Sequence, residues 1–326
     1  MTAGRAEPKL AISSRFRAHL NDLPREIGVN WYSTPRECLD AVRDADALWI
    51  GMGTPSKLVR EQIEHVVEAG TRLRWIHSHG AGTESHPLDL YRKRGLIFTN
   101  GSGISSIPIA EHVVMVMLAA ARKLPIYMQA QHRSEWLSQG PTPNELFDSQ
   151  ALILGFGAIG RAIGDRLKPF GVRVVGVRRR PDGEPNVIGP DEWRSRLPES
   201  DWVIVSVILT PETRHLVGSR ELAAMRSSAW LINISRGAVV EEQALVASLQ
   251  SADIGGACLD VTDPEPPSRE SPLWGLTNVI ITPHSSWSSR NFDSRAASLF
   301  LRLLEQFRDG AQLQNTIDLG AGHRDT

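Results

Sequence analysis

Short apolar runs alternate with longer segments of helical period along most of the chain. Residues 9–13 and 29–32 read as strands. Residues 35–43 read as a helix, with Thr34 as its cap. Residues 47–50 form a buried strand ending in Gly51-Met52-Gly53, and 56–69 a helix closed by Gly70. Strands follow at 73–76 and 96–99. Strands that alternate with helices predict a parallel sheet. Residues 107–124 are the strongest helical segment. Its stretch 113–121 is apolar all round and so is expected to be buried. An amphipathic helix over 126–137 carries Trp136, and Gly140-Pro141-Thr142-Pro143 breaks the pattern.

A second alternation begins at Ala151. Four apolar residues run into Gly155-Phe156-Gly157-Ala158-Ile159-Gly160, and a helical segment follows, with Ile159, Ile163 and Leu167 on one face. Gly171 stops that helix, and 172–177 is a second β-branched run. Within 202–209 the run Val203-Ile204-Val205 reads as a buried strand, further strands read at 230–234, 255–261 and 279–282, and a helix over 239–249. Residues 291–307 form an amphipathic helix with Phe292, Ala296, Leu299, Phe300, Leu303, Leu304 and Phe307 on one stripe. Gly310 ends it.

The spacing G-x-G-x-x-G between a strand and a helix, inside a βαβ unit, points to a dinucleotide. Gly155 permits the tight turn, Gly157 lets a pyrophosphate approach the backbone, and Gly160 lets the helix pack on the strand. The first N–H groups of the helix then face the phosphates. An acidic residue at the end of the second strand would favour NAD. Here Arg178-Arg179-Arg180 stand instead, 18 residues past Gly160 for the first. Arg178 and Arg179 suit the 2′-phosphate of NADP. The expected cofactor is therefore NADP, with NAD possible.

Composition narrows the classes. The 326 residues allow two domains, and a formal net charge of −1 argues against bulk nucleic acid or an anionic membrane surface as partner. Two distant cysteines, Cys38 and Cys258, make neither a disulfide framework nor a cysteine metal site, and a reducing cytoplasm is the default. The first 14 residues lack a signal-peptide core, and 113–121 is too short to span a bilayer.

Arg236, Glu265 and His284 stand just past three successive buried strands, 29 and 19 residues apart. In a doubly wound sheet those ends face one crevice. An arginine there can hold a carboxylate and a carbonyl oxygen, and a histidine can donate a proton as hydride arrives. A glutamate can orient the imidazole and favour its charged form. Gly80, Ala81 and Gly82 end another strand, where their N–H groups can form a nest for a substrate carboxylate. His77 and His79 share one face of the same segment. No third metal ligand is evident nearby, so pocket lining or hydrogen-bonded histidines is the favoured reading.

The chain resembles the D-isomer-specific 2-hydroxyacid dehydrogenases from about residue 73 to 316. The glycine motif carries the resemblance, with Leu209-Thr210-Pro211-Glu212-Thr213, Leu231-Ile232-Asn233-Ile234-Ser235-Arg236-Gly237, Leu259-Asp260-Val261 with Glu265-Pro266, and Thr282-Pro283-His284. It implies two doubly wound α/β domains: a Rossmann-type dinucleotide domain over 104–284, and a smaller flavodoxin-like substrate domain from 1–103 and 285–326. It implies Arg236, Glu265 and His284 as catalytic residues, with Gly80, Ala81 and Gly82 on the substrate. It implies dinucleotide contacts from 155–160, Arg178, Arg179, Thr210, Thr213, Ser235 and Asp260, the last near the nicotinamide carboxamide. It also implies a homodimer joined around 107–145. Arg178 departs from the acid frequent in the family and is similar to the NADP-using glyoxylate and hydroxypyruvate reductases. Thr262 stands where an aromatic is frequent, and Trp287 where a small residue is. The expectation is NADPH-dependent reduction of a small 2-ketoacid such as glyoxylate or hydroxypyruvate. The alternatives are an NAD-linked D-lactate or phosphoglycerate type, or a dinucleotide-sensing corepressor-like protein.

Overall fold

The computed structural model describes residues 7–51 and 58–320. The readings at Met52, at Gly53 and at the start of the 56–69 helix fall outside them. The chain divides into two compact units, Met1–Ile104 with Ser289–Thr326, and Ser105–Ser288.

The first unit runs β1 (Leu10–Ser13), β2 (Val29–Tyr32), α1 (Pro35–Ala41), β3 (Ala47–Ile50), α2 (Arg60–Ala69), β4 (Trp75–Ser78), α3 (Leu88–Lys93) and β5 (Ile97–Thr99). Its sheet is parallel, in the order β2-β1-β3-β4-β5. This is the flavodoxin-like winding. Thr34 caps α1 by accepting the Glu37 N–H, an arrangement that typically contributes about 1 kcal/mol.

The second unit runs α4 (Ser106–Ala121), α5 (Leu124–His132), β6 (Gln150–Leu154), α6 (Ala158–Leu167), β7 (Arg173–Val177), β8 (Val187–Ile188), β9 (Trp202–Val205), α7 (Ser219–Ala224), β10 (Trp230–Asn233), α8 (Glu242–Gln250), β11 (Gly256–Leu259) and β12 (Val279–Ile281). Its parallel sheet has the order β12-β11-β10-β9-β6-β7-β8. The chain winds outward from β6 through β7 to β8, then crosses back to β9. The order therefore reverses between β6 and β9. Ala151, Leu152, Ile153 and Leu154 are buried because both faces of this sheet are covered, which explains their unbroken apolar run.

Two helices end earlier than their apolar patterns suggest. α4 stops at Ala121 because Lys123 takes left-handed backbone, φ 59°. α5 stops at His132, where Ser134 has φ 57° and the Glu135 N–H closes on the Ala130 carbonyl. Trp136 thus lies beyond the helix, and its side chain is 93% exposed. Nor is α4 buried all round: Ile107 and Met115 face outward, while Val113, Met117 and Ala120 pack into the unit. No helix among the described residues is long and apolar enough to cross a membrane.

The last helix, α9 (Phe292–Asp309), belongs to the first unit, and Gly310 at φ 68° ends it. Phe300 of α9 stacks between Trp49 of β3 and Trp75 of β4, at 4.4 Å and 5.2 Å between ring centroids. Phe16 continues the stack on Trp49 at 3.9 Å. Each such ring pair adds roughly 0.5–1.5 kcal/mol beyond the area it buries.

His77 and His79 lie in this aromatic layer as structural groups. His77 Nδ1 bonds the Thr99 hydroxyl at 2.9 Å, and His79 Nδ1 donates to the Ile50 carbonyl at 3.0 Å. His86 joins Tyr91 Oη and Ser78 Oγ. Burial pushes the three imidazoles down, to about 3 for His77 and about 4 for His79 and His86. They are neutral in the folded protein, whereas the unfolded chain takes up protons on them near 6.5. Their contribution is complete above that value and is lost as the pH falls towards 4. Thermal unfolding recorded from pH 7 to 5 should show a falling Tm, up to about 1.4 kcal/mol per pH unit for one histidine. His86→Gln should make the fall shallower. An identical slope in that variant would refute the assignment.

Candidate functional site

The glycine turn occupies the point where the second sheet reverses its order. Gly155 and Phe156 both donate to the Val177 carbonyl, at 3.1 Å and 2.8 Å, so the turn is hung on the end of β7. Gly155 has φ 97°, and a Cβ there would lie 2.5 Å from the Ser206 carbonyl oxygen. No other residue fits. The Phe156 ring turns inward, against Gly164 and Gly176. Gly157 is different. A Cβ on it would meet nothing within 4 Å, so the protein's own packing does not demand a glycine. An open backbone at the start of α6, beside a helix N-terminus, fits a pyrophosphate. Ala158 is exposed and Ile159 half-buried at this opening, while Gly160 packs against the Gly155 carbonyl.

Arg178 follows β7 directly, and its N–H donates to the Ile188 carbonyl. Its guanidinium is partly exposed and pairs with Asp182 and Glu184, each at 3.4 Å. Arg179 and Arg180 are exposed. After β9, Thr210 and Thr213 spend their hydroxyls on one turn: Thr213 Oγ1 accepts the Thr210 N–H at 2.7 Å and donates to the Ile208 carbonyl at 2.6 Å.

Three loops at the carboxyl ends of β10, β11 and β12 carry the charged residues. After β10, Asn233 braces the turn by accepting the Ser235 N–H and donating to the Arg236 carbonyl. Ser235 Oγ accepts the Arg236 N–H, and the Arg236 guanidinium reaches the Ser235 carbonyl at 2.8 Å. Gly237 lets the next loop approach, since a Cβ there would overlap the Thr262 carbonyl at 2.0 Å. That loop, after β11, brings Glu265 to His284: Nδ1 lies 2.7 Å from Glu265 Oε1. Nδ1–H therefore donates to the carboxylate, which leaves Nε2 as the other ring nitrogen. The structure thus joins Glu265 and His284 directly, while Arg236 folds beside Ser235.

Asp260 fixes the histidine. Its Oδ1 accepts Thr282 Oγ1 at 2.5 Å and the Ser285 N–H at 2.9 Å, and Oδ2 accepts the Ser286 N–H at 3.1 Å. The Asp260 carbonyl also accepts the His284 N–H at 2.8 Å. His284 itself has left-handed backbone, φ 49°, a conformation that costs a non-glycine residue about 1 kcal/mol or more. These bonds hold it there. Burial would push the Asp260 carboxyl up, but the bonds from Ser286, Thr282 and Ser285 outweigh that and keep it below the ordinary carboxylate range. Burial pushes nearby His112 down, which Asp260 partly offsets. Ser285, Ser286 and His112 belong to no motif read in the sequence, and Thr282 enters only as the first residue of Thr282-Pro283-His284. Serines directly after the histidine were the available signal.

Gly80, Ala81 and Gly82 lie in the other unit, past the end of β4. The Gly80 carbonyl accepts the Gly101 N–H, and Asn100 Nδ2 donates to the Ala81 carbonyl at 2.7 Å.

A family model for the D-isomer specific 2-hydroxyacid dehydrogenase, NAD binding domain, matches residues 114–286. The glyoxylate reductase of Thermococcus gammatolerans is 33% identical over 288 residues, covering 85% of this chain and 84% of that protein. The D-3-phosphoglycerate dehydrogenase of Methanocaldococcus jannaschii is 30% identical over 298 residues. That match covers 90% of this chain but 56% of the relative, so the chain spans about half of the relative's length. A crystal structure of a D-isomer specific 2-hydroxyacid dehydrogenase family protein from Aeromonas salmonicida has a TM-score of 0.82 at 27% identity, covering 97% of this chain and 100% of that one.

Asp260→Asn should loosen the segment that bears His284. The amide turns one acceptor into a donor facing the Ser285 and Ser286 N–H groups, a mismatch worth roughly 1–3 kcal/mol. Calorimetry should record a lower Tm, and amide exchange at 284–286 should accelerate. Unchanged exchange there would show that the carboxylate is not the anchor.

Proposed function

The chain belongs to the D-isomer specific 2-hydroxyacid dehydrogenases, and we propose from there that it reduces a small 2-ketoacid to the D-2-hydroxyacid with NADPH. The family is one of NAD(P)-dependent oxidoreductases. The observation that carries the reading is the 2.7 Å bond between Glu265 and His284, at the sheet end that also bears the glycine turn.

The proposed roles follow from donor geometry. Glu265 accepts a hydrogen bond from Nδ1–H, fixing the imidazole so that Nε2 faces the reacting carbonyl. His284 gives that oxygen its proton in reduction and takes it back in oxidation. Arg236 holds the substrate carboxylate through its planar fork. The N–H groups of Gly80, Ala81 and Gly82 receive the same carboxylate. Residues 104–284 bind the dinucleotide, and 1–103 with 285–326 bind the substrate. NADPH would supply the hydride when bound, with the turn from Gly155 to Gly160 holding its phosphates. Around that turn we assign Phe156 to shaping the loop and Ala158 and Ile159 to the phosphates. Ser235, Thr210, Thr213 and Asp260 complete the cofactor contacts.

NADPH over NADH rests on Arg178 and Arg179 at the end of β7, where an acid would read the ribose hydroxyl. Glyoxylate or hydroxypyruvate as substrate is supported by similarity to a glyoxylate reductase. The homodimer is assigned to the segment around 107–145, where Met115, Leu124, Met128 and Trp136 are exposed. A cytoplasmic site is supported by two free, buried cysteines.

Optical assays of NADPH and NADH oxidation with glyoxylate, hydroxypyruvate, pyruvate and phenylpyruvate test the proposal. NADPH should be preferred, with a small ketoacid turned over fastest. His284→Ala should lower kcat roughly a hundred- to ten-thousandfold with dinucleotide binding retained. Dinucleotide binding without turnover on any 2-ketoacid would overturn the enzymatic reading in favour of a sensor.

A further inference from the structure

The acid missing from the end of β7 returns a few residues later in the chain. Val177 accepts two N–H groups of the glycine turn, so the residues after it lie beside that turn. Arg178 reaches out from there. Arg161, the residue after Gly160, lies on α6 with its guanidinium over the Phe156 ring. Both arginines converge on the carboxylate of Glu184.

The two pairings differ in quality. Arg161 grips Glu184 with both nitrogens, Nη1 to Oε2 at 2.5 Å and Nη2 to Oε1 at 2.6 Å. Arg178 reaches Oε1 with one nitrogen at 3.4 Å, and the same nitrogen is 3.4 Å from Asp182. The two arginines are about equally exposed, so geometry alone ranks the pairs: two short, parallel, charge-assisted bonds outweigh one long single contact. Glu184 therefore stays on Arg161, and Arg178 is the exchangeable member. The Arg161 partnership holds the Glu184 carboxyl below its ordinary range.

We propose that Glu184 is a specificity-determining residue of the cofactor site. Its carboxylate competes with the 2′-phosphate for Arg178 and accepts the 2′-hydroxyl of a dinucleotide that lacks the phosphate. A phosphate monoester docking on Arg178 meets a fixed negative charge within a few ångströms. A ribose hydroxyl meets an acceptor. The residue thus narrows the gap between NADPH and NADH that Arg178 opens. The inference rests on the NADPH reading, because without a 2′-phosphate on Arg178 there is nothing to compete.

The experiment is calorimetric titration of the full chain with adenosine 2′,5′-bisphosphate and with AMP, for the wild type, Glu184→Gln and Arg178→Ala. Glu184→Gln keeps an oxygen for Arg161 and removes the charge. It should bind the bisphosphate roughly threefold or more tightly, while binding AMP no more tightly than the wild type does. The gain should shrink as salt is raised. Arg178→Ala should weaken the bisphosphate alone. Should Arg178→Ala behave so while Glu184→Gln leaves bisphosphate affinity unchanged or lower, Glu184 is only a support for the loop and the inference falls by itself. Should the wild type bind bisphosphate no better than AMP and Arg178→Ala change nothing, the NADPH reading falls and takes this one with it.

Discussion

One carboxylate governs the geometry at the sheet end. Asp260 closes β11 and accepts from Thr282, Ser285 and Ser286 on the segment after β12. Backbone bonds already run from Thr282 to Leu259 and from His284 to Asp260, and the carboxylate adds a side-chain tie beyond the point where β12 ends. The unfavourable backbone of His284 exists inside that tie. Its ring can then meet Glu265, which arrives on the other side of the same loop pair. A buried anion is costly unless its lone pairs are filled, and here backbone N–H groups fill them.

The sheet order supplies the second constraint. Because the winding reverses between β6 and β9, the loop after β6 has no crossover helix lying over one of its sides. The glycine turn occupies that opening. Gly155 answers to crowding from the Ser206 carbonyl, whereas Gly157 answers to nothing within the protein. The contrast separates a glycine that the fold requires from one that it does not. Arg161 stands just past the same motif, and its pair with Glu184 links the start of α6 to the charges beyond β7.

Much of this could be read from the chain. Parallel strands covered on both faces are unbroken apolar runs, so β3, β6, β9 and β10 announce themselves, and the residues just past them can be named. Arg236, Glu265 and His284 are residues of that kind. What could not be read depends on backbone turns without a marker residue. Lys123 and Ser134 end helices in left-handed backbone although neither is glycine or asparagine. The outward face of α4 was hidden because Met115 and Ile107 are as apolar as the inward residues. Thr282, Ser285 and Ser286 bond across loops, and such contacts leave no periodicity. Glu184 was invisible for the same reason: the end of β7 shows arginines, and the carboxylate that meets them arrives by a turn through Asp182 and Gly183.

The stack of Phe16, Trp49, Phe300 and Trp75 bears on how the chain is assembled. Three of these rings are made early, and the fourth belongs to a helix some 200 residues later in synthesis. The intervening unit, Ser105–Ser288, is one contiguous stretch of chain. During synthesis it can complete its core while the N-terminal sheet still exposes the bare faces of Trp49 and Trp75. The earlier segment of that unit is thus completed only when α9 follows, and until then Trp49 and Trp75 lack their Phe300 cover, an exposure that favours aggregation and chaperone binding.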